Sequence, residues 1–170
     1  MSRMRFAKAL AVVTAISAIL VSTTGVAAAD SDVTWKNDKT NGCLTSKGNG
    51  NGPNEYSIHT DIPCFNFDNG ESWVDSQKNL ENPDGAWVEH PWLDTSQCLT
   101  SSWAPSPGAP GPVYFERCSS PANYYEQWYE KWNGSAFTLV NRQTGLCLDS
   151  NNSGKVYTLT CNGGRNQMWH

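Results

Sequence analysis

Cys147-Leu148-Asp149-Ser150, followed by Cys161 and then by Gln167-Met168-Trp169, forms a unit that the chain contains three times. In every unit a Cys-Leu pair precedes a second cysteine, and a tryptophan follows two residues after a Glu or Gln. The first cysteine and the tryptophan lie 30, 30 and 22 residues apart. Such internal repetition indicates one fold built from three similar copies. The other two units are Cys43-Leu44-Thr45-Ser46 with Cys64 and Glu71-Ser72-Trp73, and Cys98-Leu99-Thr100-Ser101 with Cys118 and Glu126-Gln127-Trp128.

The three copies span residues 31–77, 84–131 and 132–170, and each is expected to be mostly β. Charged residues make up 16% of the chain, Gly and Pro are frequent, and no segment keeps a helical period over three turns. Copies of about 45 residues bury too little surface to fold alone, so their apolar faces are expected to meet around a shared threefold axis. Strand-like runs lie at 33–35, 42–45, 87–89, 112–115, 137–140 and 155–159, turn clusters at 48–54 and 151–154, and an irregular surface loop at 104–112.

Residues 1–29 have the arrangement of a secretory signal peptide. Arg3, Arg5 and Lys8 precede an apolar run over residues 9–21, and Ala27-Ala28-Ala29 is a small-residue cleavage site. A membrane anchor is the alternative, but the apolar run is shorter than the roughly 20 residues that span a bilayer. The sequence therefore predicts a released protein with one domain over residues 30–170.

All six cysteines lie in this exported part, so disulfides are expected. The repeat selects one pairing, in which each bridge stays within its own copy. Zinc is the alternative, but no Cys-x-x-Cys or His-x-x-x-His spacing occurs, and we expect neither a metal nor another cofactor. The expected bridges are Cys43–Cys64, Cys98–Cys118 and Cys147–Cys161.

The charge of the chain argues against nucleic acid as a partner. The formal net charge is −4, and residues 30–170 keep all 16 acidic residues but lose three of the 12 basic ones. An acidic surface lacks the electrostatic footprint for nucleic acid or for an anionic membrane.

Three copies that each end in a Gln-x-Trp-like motif resemble the ricin B-chain type of β-trefoil lectin. The resemblance covers essentially all of residues 30–170 and is strongest in copy three, whereas Glu71 and Glu126 replace the motif Gln in copies one and two. It implies an all-β β-trefoil of three pseudo-repeats, with one disulfide in each. It also implies a carbohydrate partner, with galactose-like or xylose-like glycans as the family's usual ligands.

The resemblance places a sugar site in copy three. A carboxylate that accepts hydrogen bonds from sugar hydroxyls stands two residues after the first cysteine in the family, and Asp149 matches it. The family's Asn before Gln-x-Trp is Asn166, and the motif Gln is Gln167. The family's stacking aromatic is Leu159 here, and Tyr157, two residues earlier on the same strand face, is our candidate for the missing ring. Asp149 has an alternative role, since Asp in an Asp-Ser-Asn-Asn-Ser-Gly stretch often stabilises a turn.

Copies one and two lack this pattern, so we expect no family-like sugar site in either. Thr45 and Thr100 replace the carboxylate, Gly70 and Tyr125 replace the Asn, and Ile62 and Glu116 stand at the aromatic position.

The motif residues have structural roles in our interpretation. Trp73, Trp128 and Trp169 are expected in the core, while Glu71, Glu126 and Gln167 bond backbone groups of their own copy and fix a turn. A buried Glu needs partners that a Gln does not, so the two carboxylates are expected to stay partly exposed. Trp103, which precedes the Pro-Gly loop, is a further candidate for ligand contact.

Catalysis has little support in the sequence. Glu126 and Glu130 are close enough to suggest a glycosidase pair, but Glu126 occupies the motif position and both flank a core tryptophan. His59, His90 and His170 have no nucleophile motif beside them. The sequence therefore predicts a secreted, non-catalytic carbohydrate-binding protein. The alternative is a degenerate trefoil scaffold that binds a protein partner, as an inhibitor or a surface factor, without recognising sugar.

Overall fold

The computed structural model describes residues 31–46, 58–64, 70–77, 79–81 and 84–170. The expected signal peptide and the turn cluster at 48–54 lie outside the described residues. No helix within the described ranges is long and apolar enough to cross a membrane. These ranges contain eleven strands: β1 Ser31–Val33, β2 Cys43–Thr45, β3 His59–Asp61, β4 Trp73–Ser76, β5 Ala86–Pro91, β6 Gln97–Ser101, β7 Val113–Arg117, β8 Gln127–Trp132, β9 Phe137–Asn141, β10 Cys147–Ser150 and β11 Val156–Leu159.

The strands form one seven-stranded sheet, in the order β1-β4-β5-β8-β9-β10-β11, and two hairpins, β2–β3 and β6–β7. The C-terminal segment links copy three back to copy one. Trp169 exchanges two backbone hydrogen bonds with Phe137, of 2.8 and 2.9 Å, and His170 exchanges two with Lys36, both of 2.9 Å. The His170–Lys36 pair joins the two ends of the domain. The expected all-β trefoil is confirmed.

Each of the six predicted strand segments overlaps an observed strand, although β1 ends at Val33 rather than Trp35. Strands β4 and β8, which carry the motif tryptophans of copies one and two, were not among those segments. Charged residues stand within them, namely Asp75, Glu130 and Lys131, so neither shows the apolar alternation that indicates a strand. Their pairing with β5 is what keeps them extended.

The core repeats one hydrogen bond in all three copies. Each motif tryptophan is completely buried, and so is the leucine that follows the first cysteine of its copy. The indole N–H donates to the main-chain oxygen of that leucine, which satisfies the polar edge of a buried ring. The bonds run from Trp73 to Leu44 at 3.0 Å, from Trp128 to Leu99 at 2.8 Å and from Trp169 to Leu148 at 3.2 Å.

The three disulfides have the pairing expected from the repeat, with sequence separations of 21, 20 and 14 residues. Each restricts the unfolded chain, and loops of this size stabilise a fold by about 3 kcal/mol apiece. The bridges are Cys43–Cys64, Cys98–Cys118 and Cys147–Cys161.

The expectation that Glu71 and Glu126 stay partly exposed is wrong, because they are 1% and 0% exposed. Hydrogen bonds offset the burial of Glu126: Ser119 donates its backbone N–H at 3.1 Å and its hydroxyl at 2.7 Å, and the Asn123 amide donates at 2.7 Å. A carboxylate with several donors tolerates burial. Glu126 thus holds a turn of its own copy.

Candidate functional site

The expected site residues of copy three stand on the β10–β11 hairpin. Its register places Asp149 opposite Tyr157 and Cys147 opposite Leu159. Residues directly opposite on antiparallel strands point to the same face, so Asp149 and Tyr157 are neighbours. The alternation that made Tyr157 a candidate is present in the structure.

The turn of this hairpin is held by Asn151 rather than by Asp149. The Asn151 side-chain oxygen accepts hydrogen bonds from the backbone N–H groups of Ser153, at 3.0 Å, and Lys155, at 3.1 Å, and from the Ser153 hydroxyl at 2.7 Å. Such a bonding pattern is the usual way in which Asn stabilises a turn. Asp149 is therefore left for contacts on the strand face.

Asp149 as a residue is only 3% exposed. Burial raises the pKa of its carboxyl group above the usual value, while hydrogen bonds to Gln167 and Tyr157 act in the opposite direction. Burial also raises the pKa of the Tyr157 hydroxyl, and the neighbouring carboxylate adds to this. Tyr157 is half-buried and stands across the strand pair from Asp149.

Asn166 lies in a short 3-10 helix, Arg165–Gln167, which packs against β10. Its side-chain amide donates to the main-chain oxygen of Ser150, one residue after Asp149. Its own main-chain oxygen accepts a hydrogen bond of 2.8 Å from the Asn37 side chain of copy one. Asn166 is therefore fixed at the end of β10, next to the carboxyl group.

Gln167 holds the segment that follows β11 through side-chain hydrogen bonds. It is fully buried, its amide N–H donates to the Thr160 oxygen at 3.2 Å, and its side-chain oxygen accepts from the Asn162 backbone at 2.9 Å. These are bonds within its own copy, as expected for the motif Gln. The structure thus brings Asp149, Tyr157, Asn166 and Gln167 together, and Tyr157 and Asn166 are more accessible than the other two.

An open groove of about 460 Å³ lies on the outer side of Tyr157. Trp103, which is 56% exposed, forms another part of its lining, and its indole N–H donates to the Tyr125 hydroxyl at 3.2 Å. Two aromatic rings therefore face one groove, although they are 54 residues apart in sequence. The remaining wall comes from Pro105, Pro110, Gly111, Pro112, Val113, Lys155 and Val156.

The Pro-Gly loop is tied to β11 through Gly111, a contact that sequence reasoning missed. Gly111 and Thr158 exchange backbone hydrogen bonds of 2.8 and 3.0 Å. A Cβ atom on residue 111 would lie 2.4 Å from the Thr158 hydroxyl oxygen, so the two backbones approach this closely only because residue 111 is glycine. The glycine between Pro110 and Pro112 is the signal that marked this approach.

Copies one and two use the equivalent positions for internal bonds. Thr45 and Thr100 are fully buried, and their hydroxyls donate to the main-chain oxygens of Gly70 and Cys98, both at 3.1 Å. Neither position supplies a carboxylate.

A cluster of acidic side chains, which the sequence analysis did not anticipate, lies between strands of copies one and two. Glu89 on β5 is completely buried, stands opposite Asp75 on β4, and accepts a 3.2 Å hydrogen bond from the Trp35 indole. Burial and the nearby charges of Glu130 and Asp75 raise the pKa of Glu89 well above its usual value. Burial first, and Asp75 second, raise the pKa of Glu130 to about 7.

This arrangement does not suit the glycosidase pair considered from the sequence. Glu126 holds a turn, while Glu130 faces Glu89 and Asp75. One oxygen each of Glu89 and Glu130 is shielded from solvent and has no hydrogen-bond donor among the described residues, and the raised pKa values of both groups favour their protonated forms. None of these groups lines the groove at Trp103.

Two groups of potential metal ligands occur within the described ranges: His90 with one disulfide and Glu71 with another. In both, the sulfur atoms are bonded to each other, and it is the thiolate rather than the disulfide that binds metal. Neither group is therefore arranged to hold an ion in the oxidised protein. The cysteines are Cys98 and Cys118 in the first group and Cys43 and Cys64 in the second.

The three-copy all-β fold, with one disulfide in each copy, defines a β-trefoil domain. Residues 32–169 match the family model described as the ricin-type β-trefoil lectin domain, and the chain belongs to this family. Members of the family bind carbohydrate in general.

Solved structures agree on the fold. A designed threefold-symmetric protein, ThreeFoil, is 19% identical with a TM-score of 0.65, over 82% of this chain and 96% of that one. SeviL bound to the asialo-GM1 saccharide is 11% identical with a TM-score of 0.57, over 82% and 94%. The agglutinin from Abrus precatorius is 24% identical with a TM-score of 0.58, over 82% and 46%.

Proposed function

We propose that this chain is a secreted, non-catalytic carbohydrate-binding protein whose sugar site lies in copy three. The observation that carries the proposal is the convergence of Asp149, Tyr157 and Asn166 beside a groove that also exposes the Trp103 ring. A carboxylate, an amide and accessible rings are the groups that recognise a sugar by its hydroxyls and its apolar face.

Binding in this proposal requires an exchange at Tyr157. A hydrogen bond from Tyr157 lowers the pKa of Asp149 in the free protein, and in this proposal a sugar hydroxyl takes the place of Tyr157 as the donor. Hydrogen bonds to an ionised group are stronger than neutral ones, which favours the exchange once the sugar ring also packs on an aromatic side chain. In this proposal the hydrogen bond of Gln167 keeps the Asp149 carboxylate in position.

The ligand in this proposal is a galactose-like or xylose-like glycan, as the family resemblance suggests. SeviL, which shares the fold, was solved with the asialo-GM1 saccharide, so that saccharide belongs in the test panel. One shallow site of this kind corresponds to a dissociation constant of about 0.1 to 10 mM. A multivalent format is therefore needed to detect binding.

The proposal is tested by screening the oxidised protein on a glycan array beside Asp149→Ala and Asn166→Ala. Thr100→Ala, which changes the equivalent position of copy two, is the matched control, and circular dichroism checks that every variant is folded. We expect binding by the wild type and by Thr100→Ala, and loss of binding in both copy-three variants. Equal binding by all four proteins would move the site elsewhere.

The protein-binding scaffold is the second candidate, and one observation favours it. In the free protein, Asp149 and Asn166 already have internal hydrogen-bond partners, and Leu159 stands where the family has its ring. This candidate predicts that no glycan binds at high protein concentration. A protein captured by wild type and by Asp149→Ala alike would then support it.

Secretion is tested separately. If residues 1–29 are a signal peptide, N-terminal sequencing of protein recovered from the culture medium should begin at Asp30. A protein that keeps residues 1–29 and stays with the cells would contradict this part of the proposal.

A further inference from the structure

A second groove, of about 500 Å³, lies on the face of the β8–β9 hairpin, where copy two meets copy three. We call it the hairpin groove. It shares no lining residue with the groove at Trp103. The β8–β9 register places Tyr129 opposite Val140 and Lys131 opposite Thr138, so these four side chains face the same side.

The floor of the hairpin groove is apolar and rigid. Val140 pairs with Cys147 across β9 and β10, and the Cys147–Cys161 disulfide lies beside them. These groups offer no competing hydrogen bonds from side chains. A ligand's apolar face can rest on such a floor while its polar groups are directed to the rim.

One aromatic ring stands on this face of the hairpin. Tyr129, which is half-buried, lines the groove, and its hydroxyl donates to the Asp84 carboxylate at 3.4 Å. Trp132, which is 57% exposed, lies opposite Phe137 and points to the other face, where its ring packs on the Phe137 ring with 4.8 Å between ring centroids. A ring that is held in place by a neighbouring contact is prepared to stack on a ligand with little loss of side-chain freedom.

The two charged side chains that line this groove are both basic. Its lining includes Lys131 and Arg142 but no acidic residue. Arg142 is already paired with Asp84 at 3.2 Å and donates to the Gln127 side-chain oxygen at 2.6 Å. Lys131, whose ammonium group lies 5.7 Å from the centre of the Tyr129 ring, has no carboxylate partner in the described part of the chain.

Lys131, which has no carboxylate partner among the described residues, therefore stands across the strand pair from Thr138, on the same face as the apolar floor and the Tyr129 ring. An ammonium group and a hydroxyl on one face are suited to a single carboxylate, and the ring is suited to the body of a sugar. A polysulfated chain would need several free cations, which the groove does not have. Because the chain as a whole has a net charge of −4, the positive charge of Lys131 makes this groove more attractive to an anionic ligand than the acidic surface around it.

We propose that the hairpin groove binds an acidic oligosaccharide through one hexuronate residue. Lys131 and Thr138 hold the uronate carboxylate, and Tyr129 contacts the sugar ring. This site lies apart from the proposed site at Asp149, so either can be lost without the other.

Isothermal titration of the oxidised protein with trigalacturonate tests the proposal. We expect binding by the wild type, and an affinity about tenfold lower in Lys131→Gln, the loss expected when one charge-assisted contact is removed. Tyr129→Ala and Thr138→Val should weaken binding as well. Lys39→Gln, which removes an exposed lysine outside both grooves, should leave trigalacturonate binding unchanged.

Ionic strength and ligand chemistry separate this proposal from general attraction. Raising the salt concentration from about 50 to 500 mM should weaken wild-type binding but have little effect on the binding that remains in Lys131→Gln. Neutral galactotriose should bind this groove far more weakly, and a heparin tetrasaccharide should not bind it better than trigalacturonate. Absence of trigalacturonate binding at millimolar concentration, equal affinity in Lys131→Gln, or tighter heparin binding would overturn the proposal.

Discussion

Copy three and copies one and two have the same frame but different polar groups on it. In every copy a buried tryptophan donates its indole N–H to the leucine beside the first cysteine, and a disulfide closes the loop. Two residues after that cysteine, copy three has Asp149, whereas each of the other copies has a buried threonine. The residues that build the trefoil and the residues that form the proposed site are therefore separate sets.

A second difference is that copies one and two have buried acidic groups that copy three lacks. The buried carboxyl cluster belongs to copies one and two, through Asp75, Glu89 and Glu130. Nine residues before the first cysteine, where copy two has Glu89, copy three has Thr138. Copy three therefore carries its acidic group at the candidate site, and copy two carries its acidic groups inside the sheet.

The largest expected effect tests the shared frame. Trp169→Ala should lower the free energy of unfolding by about 3–5 kcal/mol, because a fully buried ring and its hydrogen bond to Leu148 are lost. Denaturant unfolding measures the loss, and Trp128→Ala should match it. Trp92→Ala, at a position that is 48% exposed, is the control and should cost less than about 1 kcal/mol. Equal losses of unfolding free energy in the core variants and in Trp92→Ala would contradict a shared structural role for the motif tryptophans.

The disulfides should have similar effects in different copies. Replacing Cys147 and Cys161 by serine should destabilise the protein by about 2–4 kcal/mol, and replacing Cys98 and Cys118 should do nearly the same. Loop lengths of 14 and 20 residues differ too little to separate them. Thermal unfolding of both double variants is the measurement, and a loss confined to one copy would show that the copies are not equivalent.

The sugar site should respond to its carboxylate. Asp149→Asn should lower glycan affinity by about tenfold, or 1.4 kcal/mol, because the charge-assisted bonds are lost. Burial raises the pKa of Asp149, so affinity should begin to fall at a higher pH than for an ordinary Asp as the solution is acidified. Titration between pH 7 and pH 4 measures this. A pH dependence that persists unchanged in Asp149→Asn would assign it to another group.

The smallest effect concerns the acidic cluster. Glu130 has a folded-state pKa of about 7 against 4.5 for the free side chain, so the folded protein holds this proton more tightly than the unfolded chain does. The associated stability is complete below pH 4.5 and is lost as the pH rises through about 7. Glu130→Gln should remove much of this slope, which is on the order of 1 kcal/mol once solvent screening is allowed for. The free energy of unfolding of both proteins, measured from pH 5 to pH 8, tests this prediction. An unchanged dependence of that free energy on pH in Glu130→Gln would contradict the assignment to Glu130.

Much of the frame was predictable, because the three Cys-Leu and tryptophan positions recur at fixed order in the chain. Spacing also led to Tyr157 as the neighbour of Asp149, since alternation along a strand places every second residue on one face. Spacing did not reveal that Glu126 is buried, because its donors Ser119 and Asn123 come from a turn whose shape spacing does not set.

Contacts between distant segments were beyond prediction for a similar reason. The groove that joins Trp103 to Tyr157 depends on the backbone pairing of Gly111 with Thr158. The carboxyl cluster depends on β4, β5 and β8 lying side by side, which no local pattern specifies. In both cases the chemistry arises where one copy meets another rather than within a copy.

The most direct test of the central claim, that among the three equivalent repeat positions only Asp149 of copy three takes part in binding a neutral sugar, is an NMR titration with a neutral glycan that the array identifies. Chemical-shift changes should centre on Asp149, Tyr157 and the Trp103 indole, with little change at Thr45 and Thr100. Changes that centre on Thr45 or Thr100, or that leave copy three unaffected, would contradict the account.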